Sequence, residues 1–385
     1  MGRHRAVRNG PGRGPARTRV LPTVPARPTR SSPPVSAPAP LGIDRVLAGD
    51  DLDPAHDPGH AAAGARGRSL APVAPVAPVA AAPSGRILVG TASWTDPTIL
   101  AEGVFYPPAA TTPEARLRYY ASRFPLVEVD ATYYALPTAR MAALWAERTP
   151  DGFLFDVKAH ALMTGQPSEV ARLPATLRRA LPAALAERER IYGHDLPAEL
   201  YDQVWALFLD ALAPLRAAGK LGAVLMQYPR WFTPTTAHVD AMLDGQRRLA
   251  GIPAPVELRN RRWFGEERRK TERTLAFFER ERIPLVMVDG PQGLDSSVPR
   301  LAAATSPELA VLRLHGRRDA TWEAPGVPTV ERYRYLYDET ELAEWLPRIA
   351  RAAEQAQGVH VLFNNCHGNY GTTNAAEFGK MLTEC

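Results

Sequence analysis

Residues 255–263 read PVELRNRRW. The run begins as a buried strand would, yet Glu257 and Arg259 stand two positions apart within it. On a strand that spacing turns both side chains to one face and leaves Val256 and Leu258 on the other. An acid and a base sharing a face make poor core and a good wall for a polar site. The construction recurs. Short β-branched or apolar runs also lie at 87–93 (ILVGTAS), 126–132 (LVEVDAT), 154–160 (LFDVKAH), 223–228 (AVLMQY), 284–289 (PLVMVD), 309–315 (LAVLRLH) and 359–365 (VHVLFNN).

Between these runs the apolar spacing predicts helices at 112–124, 138–148, 200–218, 238–249, 270–282, 339–356 and 374–383. The first has Thr112 as cap, Pro113 at its first position and Glu114 just inside. Eight strands alternating with helices predict an α/β protein built as a (β/α)8 TIM-type barrel. A doubly wound open sheet is the other arrangement. It wants a Gly-rich phosphate loop after the first strand, and Gly90-Thr91-Ala92-Ser93 does not supply one. Two segments exceed the plan: 161–196, a helical insertion after strand three, and 290–307, rich in Gly, Pro and Ser. Both leave strand ends where a barrel builds its site, so either can serve as a lid.

Composition divides the 385-residue chain near Gly85. Residues 1–85 hold eleven Arg against five Asp, a net of +6, while the whole chain carries +5, so residues 86–385 stand at −1. The Pro/Ala/Arg-rich 1–85 segment is expected to be a disordered extension, and 86–385 the barrel domain. A nearly neutral barrel removes the usual argument from high isoelectric point to a nucleic-acid-binding fold. Two cysteines, Cys366 and Cys385, build neither a disulfide framework nor a cysteine zinc site and suit a reducing cytosol. With no apolar run of signal-peptide or bilayer length, the expectation is a soluble cytoplasmic protein without membrane contact.

Chemistry in such barrels sits at the C-terminal strand ends. These ends carry Trp94; Glu128, Asp130 and Tyr133; Lys158 and His160; Gln227; Glu257, Arg259 and Trp263; Asp289; Arg313 and His315; and Asn364 and Asn365. One reading takes Lys158, Arg259, Arg313 and His315 as a clamp for carboxylate or phosphate. Glu257, Asp130 and Asp289 are then the acid/base candidates, and Asn364, Asn365, Trp94, Tyr133 and Trp263 complete the ligand wall. The enzyme would be a hydrolase, lyase or isomerase acting on a small anionic molecule. A second reading makes Glu257, Asp289, His315 and Asp130 ligands of a divalent metal in a hydrolase. A third makes Lys158 a Schiff-base lysine. A non-catalytic ligand- or nucleic-acid-binding protein with residues 1–85 as its basic arm is a separate alternative. No cofactor is indicated by any motif.

In order along the chain, GTASW (90–94), FYPP (105–108), VEVDATYYALP (127–137), FDVKAH (155–160), VELRNRRW (256–263), VLRLHGR (311–317) and FNNCHGNYGTTNA (363–375) resemble the domain of unknown function 72 family. The likeness covers residues 86–385 and implies a TIM-type barrel without supplying a reaction. It marks Trp94, Glu128, Tyr133, Tyr134, Lys158, Glu257, Arg259, Trp263, Arg313, His315, Gly316, Arg317, Asn364, Asn365 and Asn374. Leu258 and Leu314 stand where the family's motifs often carry Phe, and Gly368 and Asn369 change the loop after Asn365.

Overall fold

The computed structural model describes Val79–Ala80 and residues 86–101, 103–265 and 268–384. Apart from Val79–Ala80, the 1–85 extension expected from composition lies outside the described residues. Eight parallel strands form a barrel: β1 (Arg86–Thr91), β2 (Leu126–Val129), β3 (Leu154–Lys158), β4 (Leu221–Gln227), β5 (Val256–Glu257), β6 (Met287–Asp289), β7 (Leu309–Leu314) and β8 (Gly358–Phe363). Pairing runs β5-β4-β3-β2-β1-β8-β7-β6. A parallel bridge from Val256 to Leu285 closes the ring, with the Val286 N–H donating to the Val256 carbonyl at 2.9 Å. Val79–Ala80 adds a short antiparallel stretch beside β1.

The connecting helices are α1 (Pro113–Ala121), α2 (Ala139–Glu147), α3 (Ala198–Ala217), α4 (Thr236–Arg248), α5 (Arg268–Arg280), α6 (Leu346–Gln355) and α7 (Tyr370–Glu384). Thr112, Thr138 and Thr235 cap α1, α2 and α4, each hydroxyl accepting a backbone N–H of the first turn. The single helix expected over 339–356 is two, Glu339–Ala343 and α6, parted at Trp345. Pro347 is the cause: it has no N–H and its ring clashes with the carbonyl four residues back, at Ala343. The 161–196 insertion is less helical than expected. Its helices, Ala175–Ala180 and Ala183–Ala186, are short, and Ser168–Glu169 pairs with Arg190–Ile191 as a two-stranded ribbon.

The pairing register fixes which side chains enter the barrel, because residues level with one another across neighbouring strands share a face. Glu128 is level with Asp156, Lys158 with Leu225, Gln227 with Glu257, and Val311 with His360. All of these positions share the inner face with Arg313. Barrels of this type usually fill that space with branched apolar layers. Here the inner space holds ionisable pairs. Deepest is Asp156 with His360, whose Nδ1 lies 2.8 Å from Asp156 Oδ2. Gly222 makes room for them, since a Cβ there would come within 2.5 Å of Asp156 Oδ1. The apolar core lies between the outer barrel face and the helices, where Phe155, Val157, Phe208 and Phe378 are fully buried.

Candidate functional site

Above Asp156 and His360, Arg313 sits at the centre of the barrel with no exposed surface. Its Nε and Nη2 donate to the two oxygens of Glu128 at 2.8 and 2.7 Å, a bidentate pair. Its Nη1 donates to Glu257 Oε2 and reaches Gln227 Oε1 at 3.4 Å. The other oxygen of Glu257 accepts from Arg259 Nε. The acid and base of PVELRNRRW therefore do share a face, and they are bonded to each other. His315 Nε2 lies 3.2 Å from Glu257 Oε1 and 3.1 Å from Arg259 Nη2, and its Nδ1 lies 3.0 Å from Asn364 Nδ2. A ring with Nε2–H donating to Glu257 and Nδ1 accepting from Asn364 satisfies those two neighbours, while Arg259 Nη2, itself a donor, gains no bond from Nε2.

The electrostatics separate the two carboxylates that share Arg313. Burial pushes Glu128 up to about 7 against the pull of Arg313. Glu257 is buried as deeply, but Arg259, Arg313 and His315 hold it well below the usual carboxylate range. Glu257 is thus the fixed charge and Glu128 the titrating one. Burial, with Arg259 alongside, lowers His315 to about 3, so its ring is neutral. Counting Lys158 and Asp130, three cations face three carboxylates.

A second pair opens toward solvent. Lys158 Nζ donates to Asp130 Oδ1 at 2.6 Å, and the Asp130 side chain keeps 28% of its surface exposed. Asp130 does not continue β2. The chain turns there into a 3-10 turn, Ala131–Tyr133, and swings Tyr133 over the Lys158 ammonium at 4.7 Å. Tyr133 Oη donates to Gln166 Oε1 at 2.9 Å, and Gln166 Nε2 donates to the Gln227 carbonyl at 3.0 Å. The insertion after β3 thereby supplies one wall of the mouth. Asp96 faces the same space, raised by burial, with Asp130 nearby and Cys366 hydrogen-bonded to it. Burial also pushes the Cys366 thiol up, which leaves it a poor nucleophile.

The roof comes from the long connection between β7 and α6. Trp322 lies 5.0 Å from the Arg259 guanidinium, and Trp322 and Tyr333 flank His315 with centroids 5.8 and 5.7 Å away. Gly316 begins this connection with φ +90, where a Cβ would come 2.4 Å from Tyr335.

Of the residues chosen from sequence, the barrel brings together Glu257, Arg259, Arg313, His315, Asn364, Lys158, Asp130 and Tyr133. It sends four elsewhere. Asp289 is level with Leu314, one step out of phase with Arg313, and so points to the helix side. There it accepts from Arg317 Nη2 (2.8 Å), Trp345 Nε1 (2.6 Å) and Tyr337 Oη (3.1 Å). Trp94 packs edge-on against Trp145 of α2, centroids 6.0 Å apart. Trp263 stacks on Phe232 and donates Nε1 to the Phe232 carbonyl at 2.7 Å. Asn365 is buried beside Gly316 with both amide atoms unpartnered. The four metal donors expected from sequence are divided in the same way, and among the described residues no group of three or more His, Cys, Asp or Glu side chains is placed to hold a metal.

Sequence reasoning passed over Asp96, Gln166, Trp322 and Tyr333, and left Glu128 and Gln227 out of the site. Glu128 had the same signal as Glu257, an acid at the inward phase of a strand. Trp322 and Tyr333 had only the length of the connection that carries them, since structureless connections beyond about 12–15 residues are usually functional.

A family model described as Protein of unknown function DUF72 matches residues 88–385. UPF0759 protein YunF of Bacillus subtilis (strain 168) is 31% identical over 301 residues, which is 77% of this chain and 94% of that protein. A crystal structure of a DUF72 family protein from Thermotoga maritima superposes with a TM-score of 0.59 at 27% identity, covering 77% of this chain and 99% of that one. Another, from Enterococcus faecalis, gives a TM-score of 0.60 at 26% identity over 77% and 95%. With the barrel, its closed strand order and these matches in hand, the chain belongs to the DUF72 family.

Proposed function

We propose that this protein is an enzyme that binds a small carboxylate- or phosphate-bearing molecule at the C-terminal mouth of the barrel. Lys158 and Arg259 are the cationic anchors, Asp130 is the acid/base group, and Glu257 and Arg313 position them. The observation that carries the reading is the buried chain Glu128–Arg313–Glu257–Arg259. Ionic groups without surface are costly to desolvate, and apolar residues of similar volume commonly serve stability as well or better. Their presence at the face where barrels do chemistry supports a site. Asp130 is the accessible carboxylate. An anion that takes the Lys158 ammonium displaces it and frees its oxygens to accept a proton from the ligand. Tyr133 and the Trp322–Tyr333 roof then exclude water from the pair. Scarce cysteine and the lack of a bilayer-length apolar run favour a cytoplasmic setting.

The test is a thermal-shift screen of small phosphate- and carboxylate-bearing metabolites on the full chain, since a ligand that prefers the folded state raises Tm. At least one class should stabilise the protein. Lys158→Met and Arg259→Lys should each abolish the shift, and Asp130→Asn should keep binding while losing turnover. A screen without a hit, or a hit that survives both cation variants, defeats the reading.

A further inference from the structure

Among the described residues one large hydrophobic side chain is exposed: Trp231, with 51% of its surface open. It stands in the connection between β4 and α4, at the same end of the barrel as the mouth. Its exposure is built. The next residue, Phe232, is buried in a stack, 4.0 Å from Tyr228, 4.5 Å from His238 and 5.9 Å from Trp263 between centroids. The Phe232 N–H donates to the Pro229 carbonyl at 2.9 Å and closes a tight turn, so Phe232 goes in and Trp231 goes out.

This turn is bound to the exit of β5. Trp263 Nε1 donates to the Phe232 carbonyl, and the Asn260 side chain donates to the Arg230 carbonyl at 2.5 Å. That exit carries Arg261 and Arg262, both exposed like Arg230. Among the described residues Arg261 has a single ion pair, to Asp295 at 2.9 Å, and Asp295 is itself 80% exposed. Arg230 and Arg261 also act on Glu323, whose carboxylate is fixed by the Ser296 N–H and hydroxyl at 2.8 and 2.7 Å. Arg262 has no ion pair among the described residues. An exposed aromatic ring on a turn tied to a loop with two further exposed arginines matches a chain that alternates planar rings and anions.

We infer that the Trp231, Arg230, Arg261 and Arg262 rim is a docking surface for single-stranded nucleic acid. A base stacks on Trp231 and the flanking phosphates lie on the three arginines. The surface does not depend on the reading of the mouth, because none of its four residues belongs to the buried charge chain. A duplex fits poorly, since its bases are already stacked. The basic 1–85 segment can add binding of its own, so the test must separate ring from charge.

The experiment is a fluorescence-anisotropy titration of the full chain with a labelled 20-nucleotide single strand of mixed sequence, at several salt concentrations. Trp231→Ala should weaken binding about 5- to 100-fold. Arg261→Ala with Arg262→Ala should lower the slope of log affinity against log salt by about 1–2. Poly-glutamate of similar charge should compete weakly. The inference fails if full-length protein does not bind the strand at low salt. It fails equally if Trp231→Ala binds as tightly as the parent, because charge alone is then read. Equal binding of poly-glutamate would point to an acidic protein partner and overturn it too. Because Trp231 is exposed, its loss should leave the unfolding midpoint unchanged and the result interpretable.

Discussion

Glu257 and Asp289 end neighbouring strands, β5 and β6, and neither has any exposed surface. Their partners differ in kind. Glu257 is held by Arg259, Arg313 and His315, all from strands or strand exits, and its network rises toward an opening. Asp289 is held by Arg317, Tyr337 and Trp345, all from the chain after β7, and its network runs outward through Arg317 to Glu341 and the exposed Glu344, away from the mouth. Tyr337 Oη also accepts from the Gly316 N–H at 2.8 Å, and the Tyr337 backbone is gripped by Asn374 at 2.9 and 3.0 Å. The carboxylate of Asp289 therefore ties together the two ends of the connection that carries Trp322 and Tyr333. One residue of strand phase separates a group in the site from a group that fastens its roof.

The comparison breaks most visibly at Arg313. Arg313→Met leaves Glu128 and Glu257 buried without their shared partner and should cost about 3–5 kcal/mol in urea unfolding. Adding Glu128→Gln and Glu257→Gln should restore much of it; a loss that stays undiminished would mean the stack is held by packing and not by charge.

A pH series sharpens the difference between Glu128 and His315. Acidification below about 6.5 protonates the histidine in the unfolded chain, while the folded ring resists until about 3. Stability should thus fall by about 1.4 kcal/mol per pH unit over that span, and His315→Gln should flatten the limb. Glu128 acts in the opposite sense. Its folded value of about 7 lies above the ordinary 4.5, so its contribution is whole below about 4.5 and is lost as the pH climbs to about 7. Glu128→Gln should remove that loss, read as denaturation midpoints at each pH.

Asp289→Asn keeps one acceptor of the two and should cost about 1–3 kcal/mol. Hydrogen exchange should quicken over residues 317–337 while the barrel strands stay protected. Uniform quickening would show that Asp289 supports the whole barrel and not the roof. The smallest effect belongs to the partly open pair: Lys158→Met or Asp130→Asn should move stability by no more than about 1 kcal/mol. A larger loss would place that pair with the structural charges.

Much of the architecture was legible because the periods of strand and helix are local. Eight runs of β-branched residues, spaced by helical patterns and capping threonines, specify a barrel without reference to any contact. The i, i+2 spacing likewise placed Glu257 with Arg259 and Arg313 with His315. It failed where strands stop. Asp130 leaves β2 in a 3-10 turn, and Pro347 splits a helix that its apolar pattern would have continued.

What the sequence determined by itself is the set of strands, the alternation within each, and the family. Which alternate face looks inward is a different kind of fact, set by how each strand is registered against its neighbours. Asp289 opposite Leu314 and Lys158 opposite Leu225 are relations between residues 25 and 67 positions apart. Trp94 and Trp263 read as mouth residues from their positions, and only the packing of Trp145 and Phe232 against them shows otherwise. A one-residue step reverses a side chain's direction, and nothing within a single strand records the step.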